Sequence, residues 1–229
     1  MTIQHEAVPL QTLPEVRPDV VALDNPVLLA MVSPTKRQPL SAIWAFDRAM
    51  AATVARAKGG DAIMAQLRLA WWRDEIAALA TPRQRPDPVL AALAQFVPAA
   101  QIDSLAELVD IWERLLLAQP LDRAAAITHA KGRGATLAAL ASEILDPAGP
   151  DRQGLGTCWA AVDLATHIDD EAITASLFDH AAEANANDRG GPRALRALAG
   201  WSRRIALRHG TPSPLRDQLY LLRMGLIGR

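Results

Sequence analysis

Apolar side chains recur along this 229-residue chain at three- and four-residue spacing, and Val/Ile/Thr alternation is almost absent. Helical periodicity with no competing strand pattern restricts the chain to an all-α fold. The clearest instance is Leu105, Leu108, Val109, Trp112, Leu115 and Leu116, which share one broad face of a helix from Asp103 to Ala118. Hydrophobic residues make up 50% of the sequence, but much of that half is alanine. Alanine favours helix strongly and contributes little buried area, so the helices are expected to approach closely across small side chains.

Proline and glycine punctuate the pattern. Pro9, Pro14 and Pro18 lie in an aperiodic stretch, and residues 1–25 are expected to be a flexible N-terminal arm. Residues 26–229 read as a single-domain helical bundle, with no repeat and no internal boundary. Pro34 and Pro39 are expected to bracket a turn before a helix from Ser41 to about Lys58. Asp61 is placed to cap the next helix, which carries Trp71 and Trp72. Further helices are expected over 89–96, 122–145 and 193–209, and along Leu215, Leu219, Leu222 and Leu226. Residues 155–184 form one helix or a broken pair. Gly132 and Gly134 lie in the middle of the long helix, which implies close packing or a bend.

Twenty-four basic and 25 acidic side chains give a formal charge of −1, which excludes a whole-surface attraction for nucleic acid. A lone Cys158 excludes an internal disulfide and a multi-cysteine zinc site, and suits a reducing compartment. No signal peptide is expected from residues 1–30, and no run reaches about 18 apolar residues. The expectation is a cytoplasmic chain with at most peripheral contact to the cytoplasmic face of a membrane.

Two constellations carry candidate chemistry. Asp163, His167 and Asp170 stand at i, i+4 and i+7, so a continuous helix would point them together toward a metal or a water. Alternatively, His167 pairs with Asp163 on a solvated face. Arg68, Arg73, Lys131 and Arg133 are candidates for an anionic pocket, because guanidinium forks suit phosphates. The competing reading has Arg73 bridging to a carboxylate on a neighbouring helix, with Lys131 and Arg133 exposed. Asp47, beside Trp44 and Arg48, reads as a partly buried carboxylate in a structural ion pair. The six tryptophans are expected mostly at helical core positions.

The order of these elements resembles the squalene/phytoene synthase family. The resemblance rests on Ser33-Pro34-Thr35-Lys36-Arg37, on Ala42-Ile43-Trp44-Ala45-Phe46-Asp47-Arg48, and on Trp72-Arg73-Asp74-Glu75-Ile76. Asp87-Pro88-Val89-Leu90 follows, and Ala130–Ile144 stands where the family has its glycine-bearing helix, with Gly134 at a plausible glycine. It implies an isoprenoid-synthase-like bundle in which two Asp-rich motifs hold magnesium and prenyl diphosphates. Ala51, Ala52 and Ala55 stand where the first motif's aspartates are expected. The second motif would fall near Val162 and Thr166, one residue from Asp163 and His167.

A non-catalytic, assembly or scaffold role is therefore expected, similar to the family's respiratory complex I assembly branch, with a protein partner and no cofactor. The alternatives are a magnesium-dependent prenyl-diphosphate transferase and an isoprenoid- or lipid-binding module without turnover. Candidate ligand contacts are Asp47, Arg48, Arg68, Trp72, Arg73, Lys131 and Arg133. Asp163, His167 and Asp170 are the metal candidates, with magnesium required only by the enzyme reading.

Overall fold

Local sequence sets where each helix begins. Asn25 and Asp87 each precede a proline and accept backbone N–H bonds, from Val27 and from Val89 and Leu90 respectively. Proline at the first helical position loses no intrahelical bond, so Asn-Pro and Asp-Pro are strong starts. They open α1 (Pro26–Leu29) and α4 (Pro88–Phe96). Asp122 likewise caps α6 (Arg123–Leu145) through the Ala125 N–H at 2.7 Å. Asp61 precedes α3 (Ala62–Ala77) but makes no side-chain cap bond, contrary to expectation.

The structure, a computed structural model, describes residues 21–57, 60–149, 153–184, 190–211 and 213–228. The remaining helices are α2 (Pro34–Ala57), α5 (Ile102–Leu117), α7 (Gln153–Ala165), α8 (Glu171–Glu183), α9 (Arg193–Ala206) and α10 (Pro214–Ile227). A short 3₁₀ turn, Ala99–Gln101, leads into α5. Among the described residues there is no strand, and the helices form one all-α bundle around a continuous core.

Two expectations change. The turn between Pro34 and Pro39 is instead the first part of α2, which runs through Pro39. Pro39 is the sixth residue of α2, so the Thr35 carbonyl loses its helical N–H donor, and burial from Leu40 to Asp47 holds the helix despite that loss. Residues 22–25, expected to belong to the flexible arm, are instead packed into the bundle. Residues 1–20 lie outside the described residues, but Ala22, Leu23, Asp24 and Asn25 are buried, and Asp24 pairs with Arg48 of α2 at 2.5 Å.

α2 is the central helix and packs against α3, α4, α5 and α6. The most intimate pairing is α6 on α7, where two glycines meet. A Cβ on Gly134 would lie 2.5 Å from the Gly156 carbonyl, and one on Gly156 would lie 1.9 Å from the Gly134 oxygen. These glycines let the two backbones touch, which brings Arg133 of α6 against Asp163 of α7. The apolar face expected on α5 is formed, with Leu105, Leu108 and Val109 fully buried. Among the described residues no single helix is long and apolar enough to cross a membrane. α4 and the segment through α5 pass only as a pair bent by 119°.

Candidate functional site

Arg133 enters the bundle from the middle of α6 with its side chain 3% exposed. A cation at that depth requires counter-charges and a filled set of hydrogen bonds. Asp47 of α2, 86 residues away in sequence, supplies the main one. Arg133 Nε donates to its two oxygens at 3.0 and 3.1 Å, and Nη2 donates to Oδ2 at 2.5 Å. Nη1 donates to Asp163 Oδ2 of α7, also at 2.5 Å. Trp112 Nε1 completes the Asp47 shell at 2.9 Å.

The guanidinium carbon lies 4.9 Å from the Trp112 ring centroid and 4.6 Å from that of Trp159, within cation–π range of both. One arginine thus ties α2, α5, α6 and α7 together. Burial disfavours its charge, but Asp47 and Asp163 outweigh that, and its pKa lies above the ordinary arginine value.

His129 sits one helical turn before Arg133, edge-on to Trp112 at 4.6 Å between ring centroids. Its Nδ1 faces the Ile111 carbonyl at 3.3 Å, while Nε2 is buried with no protein partner. Burial, reinforced by the Arg133 cation, lowers its pKa to about 3. The ring is therefore neutral, and Nδ1–H donates to the carbonyl.

Beside this cluster lies a cavity of about 360 Å³. Ala51, Val54 and Ala55 of α2 and Leu115 and Leu116 of α5 form apolar walls, with Leu164 and Ile168 closing another side. Arg133, Asp163, His167 and Gln119 give one polar region. The walls suit an apolar occupant, and Arg133, the one arginine or lysine among the described lining residues, is already held by two carboxylates.

The four candidate anion-binding residues do not converge. Arg133 alone lines the cavity. Arg68 lies 3.9 Å over the Trp71 ring and 3.8 Å from Asp87. Arg73 bridges to Asp110 and Glu113 of α5 at 2.5 and 2.7 Å, the competing reading of that residue. Lys131 is exposed, whereas Arg133, expected with it at the surface, is buried. Arg48 is engaged by Asp24 rather than Asp47. Trp72 is core, edge-on to Phe46 and Trp71.

The shared face proposed for Asp163, His167 and Asp170 does not form, because α7 ends at Ala165. Thr166 Oγ1 donates to the Asp163 carbonyl at 2.7 Å, and His167 Nδ1 lies at the same distance from it, so both side chains close the helix end. Asp170 caps α8 through the Ile173 N–H. Among the described residues no three His, Cys, Asp or Glu side chains are grouped to hold a metal ion.

The sequence pattern of squalene/phytoene synthase matches residues 21–178. The chain belongs to the squalene/phytoene synthase family. Comparison with curated proteins and with solved structures gave no match.

Magnesium, which the family's Asp-rich motifs imply, does not fit the donor set here. It requires several oxygen ligands around one point. Ala51 and Ala55 present methyl groups to the cavity, and Asp47 and Asp163 each have a carboxylate oxygen engaged by Arg133. Sequence reasoning placed Trp112 and Trp159 in the core but missed their role around the guanidinium. Their contact spans α5, α6 and α7, and no local spacing encodes it.

Proposed function

We propose that this chain is a non-catalytic family member that acts as a scaffold or assembly factor, with respiratory complex I as the assembly to which its sequence resemblance points. The observation that carries this reading is Arg133. An internal cation bridges Asp47 and Asp163 beside a cavity whose α2 wall bears alanines. Prenyl transfer requires a diphosphate leaving group whose charge is stabilised as it departs, and metal clusters supply that stabilisation. A prebuilt ion pair offers only the N–H groups of Arg133 not already engaged by carboxylates. The arrangement serves rigidity in place of ionisation.

The cavity itself supports a second reading, an isoprenoid or lipid site without turnover. Its walls are mainly Ala, Val, Leu and Ile, and its volume of about 360 Å³ lies in the range of small-molecule sites.

Calorimetric titration with a non-hydrolysable farnesyl-diphosphate analogue, with and without magnesium, tests both. Absence of binding in both conditions is expected of the scaffold, and binding independent of magnesium supports the ligand-site reading. Tight binding that requires magnesium, together with release of diphosphate from the natural substrate, would overturn the non-catalytic reading.

A further inference from the structure

The C-terminal hairpin, α9 and α10, lies beyond the matched residues 21–178 and has a character of its own. From Arg193 to the last residue the sequence carries eight arginines and one carboxylate, Asp217, a formal +7. The rest of the chain, with sixteen basic and 24 acidic groups, carries −8. Asp217 is buried and accepts two bonds from Arg208 at 2.8 and 2.9 Å, so it contributes no negative charge to the outer face.

α10 is seated on the bundle by Leu221 and Met224. Its opposite face presents Leu215, Leu219, Leu222 and Leu226, which are 57–82% exposed and separated by four, three and four residues. This stripe is about 16 Å long. Arg216 and Arg223 are exposed beside it, and the exposed residues of α10 include no carboxylate. Arg204 stacks 4.8 Å over Tyr220, and Arg193 donates to the Gly225 carbonyl at 3.1 Å, so α9 adds positive charge along the same helix.

We propose that the α9–α10 hairpin docks on an anionic lipid surface, with the α10 leucines entering the headgroup boundary and the arginines facing lipid phosphates. An apolar stripe flanked by cations, on a helix too short to span a bilayer, is the signature of interfacial binding. The charge separation between the hairpin and the rest of the chain orients the molecule on approach. A second copy fits the stripe less well. Four seam positions fall short of the three to four heptads a coiled coil needs, and antiparallel self-pairing sets Arg216 and Arg223 against like charges.

Vesicle flotation of the full chain tests the docking, using phosphatidylcholine alone and phosphatidylcholine mixed with phosphatidylglycerol. Flotation with the anionic vesicles only, weakening as salt is raised, is the expected result. Leu219→Asp with Leu222→Asp abolishes it while leaving circular dichroism and melting unchanged, because both side chains are exposed. Arg216→Gln and Arg223→Gln each weaken partitioning by about fivefold. Failure to float with anionic vesicles at low salt overturns the proposal, as does undiminished flotation of the double-leucine variant. A dimer in sedimentation equilibrium that Leu219→Asp with Leu222→Asp dissolves assigns the stripe to a second copy, which also overturns it. Capture of an acidic protein fragment in place of vesicles does the same.

Discussion

Arg133 and Arg73 each face two carboxylates on neighbouring helices at 2.5–2.7 Å, yet they sit in opposite environments. The Arg133 side chain is 3% exposed against 37% for Arg73. In water the ions of such a cluster are solvated whether or not they pair, so Arg73, Asp110 and Glu113 gain little from meeting. Arg133 and Asp47 are almost wholly removed from the surface, and each of these two charges depends on the other. Equal geometry therefore does not mean equal energy. The buried cluster is a structural commitment of α2, α6 and α7, while the exposed one trims the surface between α3 and α5.

The largest expected effect follows directly. Arg133→Met strips Asp47, 1% exposed, of its cationic partner and leaves the Trp112 N–H as its one side-chain donor among the described residues. Loss of one partner from a buried ion pair costs about 3–5 kcal/mol. Urea denaturation at neutral pH measures it, and a loss under about 1 kcal/mol would break the distinction between the two arginines.

His129 extends the comparison to pH, because it lies against the buried cluster, edge-on to Trp112. Its folded pKa of about 3 lies below the ordinary 6.5. Between those values the unfolded chain binds a proton that the folded chain does not. Stability therefore falls as pH drops from about 6.5 toward 3 and levels off below. His129→Leu removes this slope, a relative gain of about 2–3 kcal/mol near pH 4. Denaturation curves at stepped pH check it, and parallel slopes for the two proteins would sink the assignment.

A smaller effect tests whether charge or shape matters at Asp47. Combining Arg133→Met with Asp47→Asn removes the stranded charge but keeps an oxygen for Trp112 Nε1. The double variant is expected to recover about 1–2 kcal/mol of the single variant's loss. A double-mutant cycle reads this coupling directly, and additive losses would show that packing around the guanidinium dominates.

The sequence made the elements legible where a local signal was sufficient. The α5 face follows from its apolar spacing, and the Asp87-Pro88 start of α4 from capping chemistry alone. Local signals misled at Pro39, where burial of the following turn outweighed a breaker, and at Ala165, where Thr166 and His167 closed a helix whose spacing suggested continuation. The α6–α7 glycine contact was half visible, since Gly134 advertised close packing but could not name Gly156. Least legible was the centre of the site. Asp47 and Arg133 each looked ionic, but their pairing joins residues 86 apart and depends on three helices being assembled first. The Ala51 and Ala55 substitutions, by contrast, were readable at once, because a methyl group cannot ligate a cation in any fold.

The smallest effect belongs to the exposed cluster. Arg73→Ala removes the bonds to Asp110 and Glu113, whose side chains are 51% and 30% exposed. Those carboxylates regain water when the arginine is lost, so the expected cost is under about 1 kcal/mol and shrinks further in high salt. The two hydrogen-bonded oxygens and the raised pKa of Arg73 argue that the pair forms, but not that it stabilises the fold. Denaturation at low and high salt separates these points. A cost near that of Arg133→Met, insensitive to salt, would mean that α3 and α5 are held by this surface bridge rather than by their buried residues, among them Leu69, Trp72 and Leu108. The contrast between the arginines would then lie in helix connectivity, not in access to water.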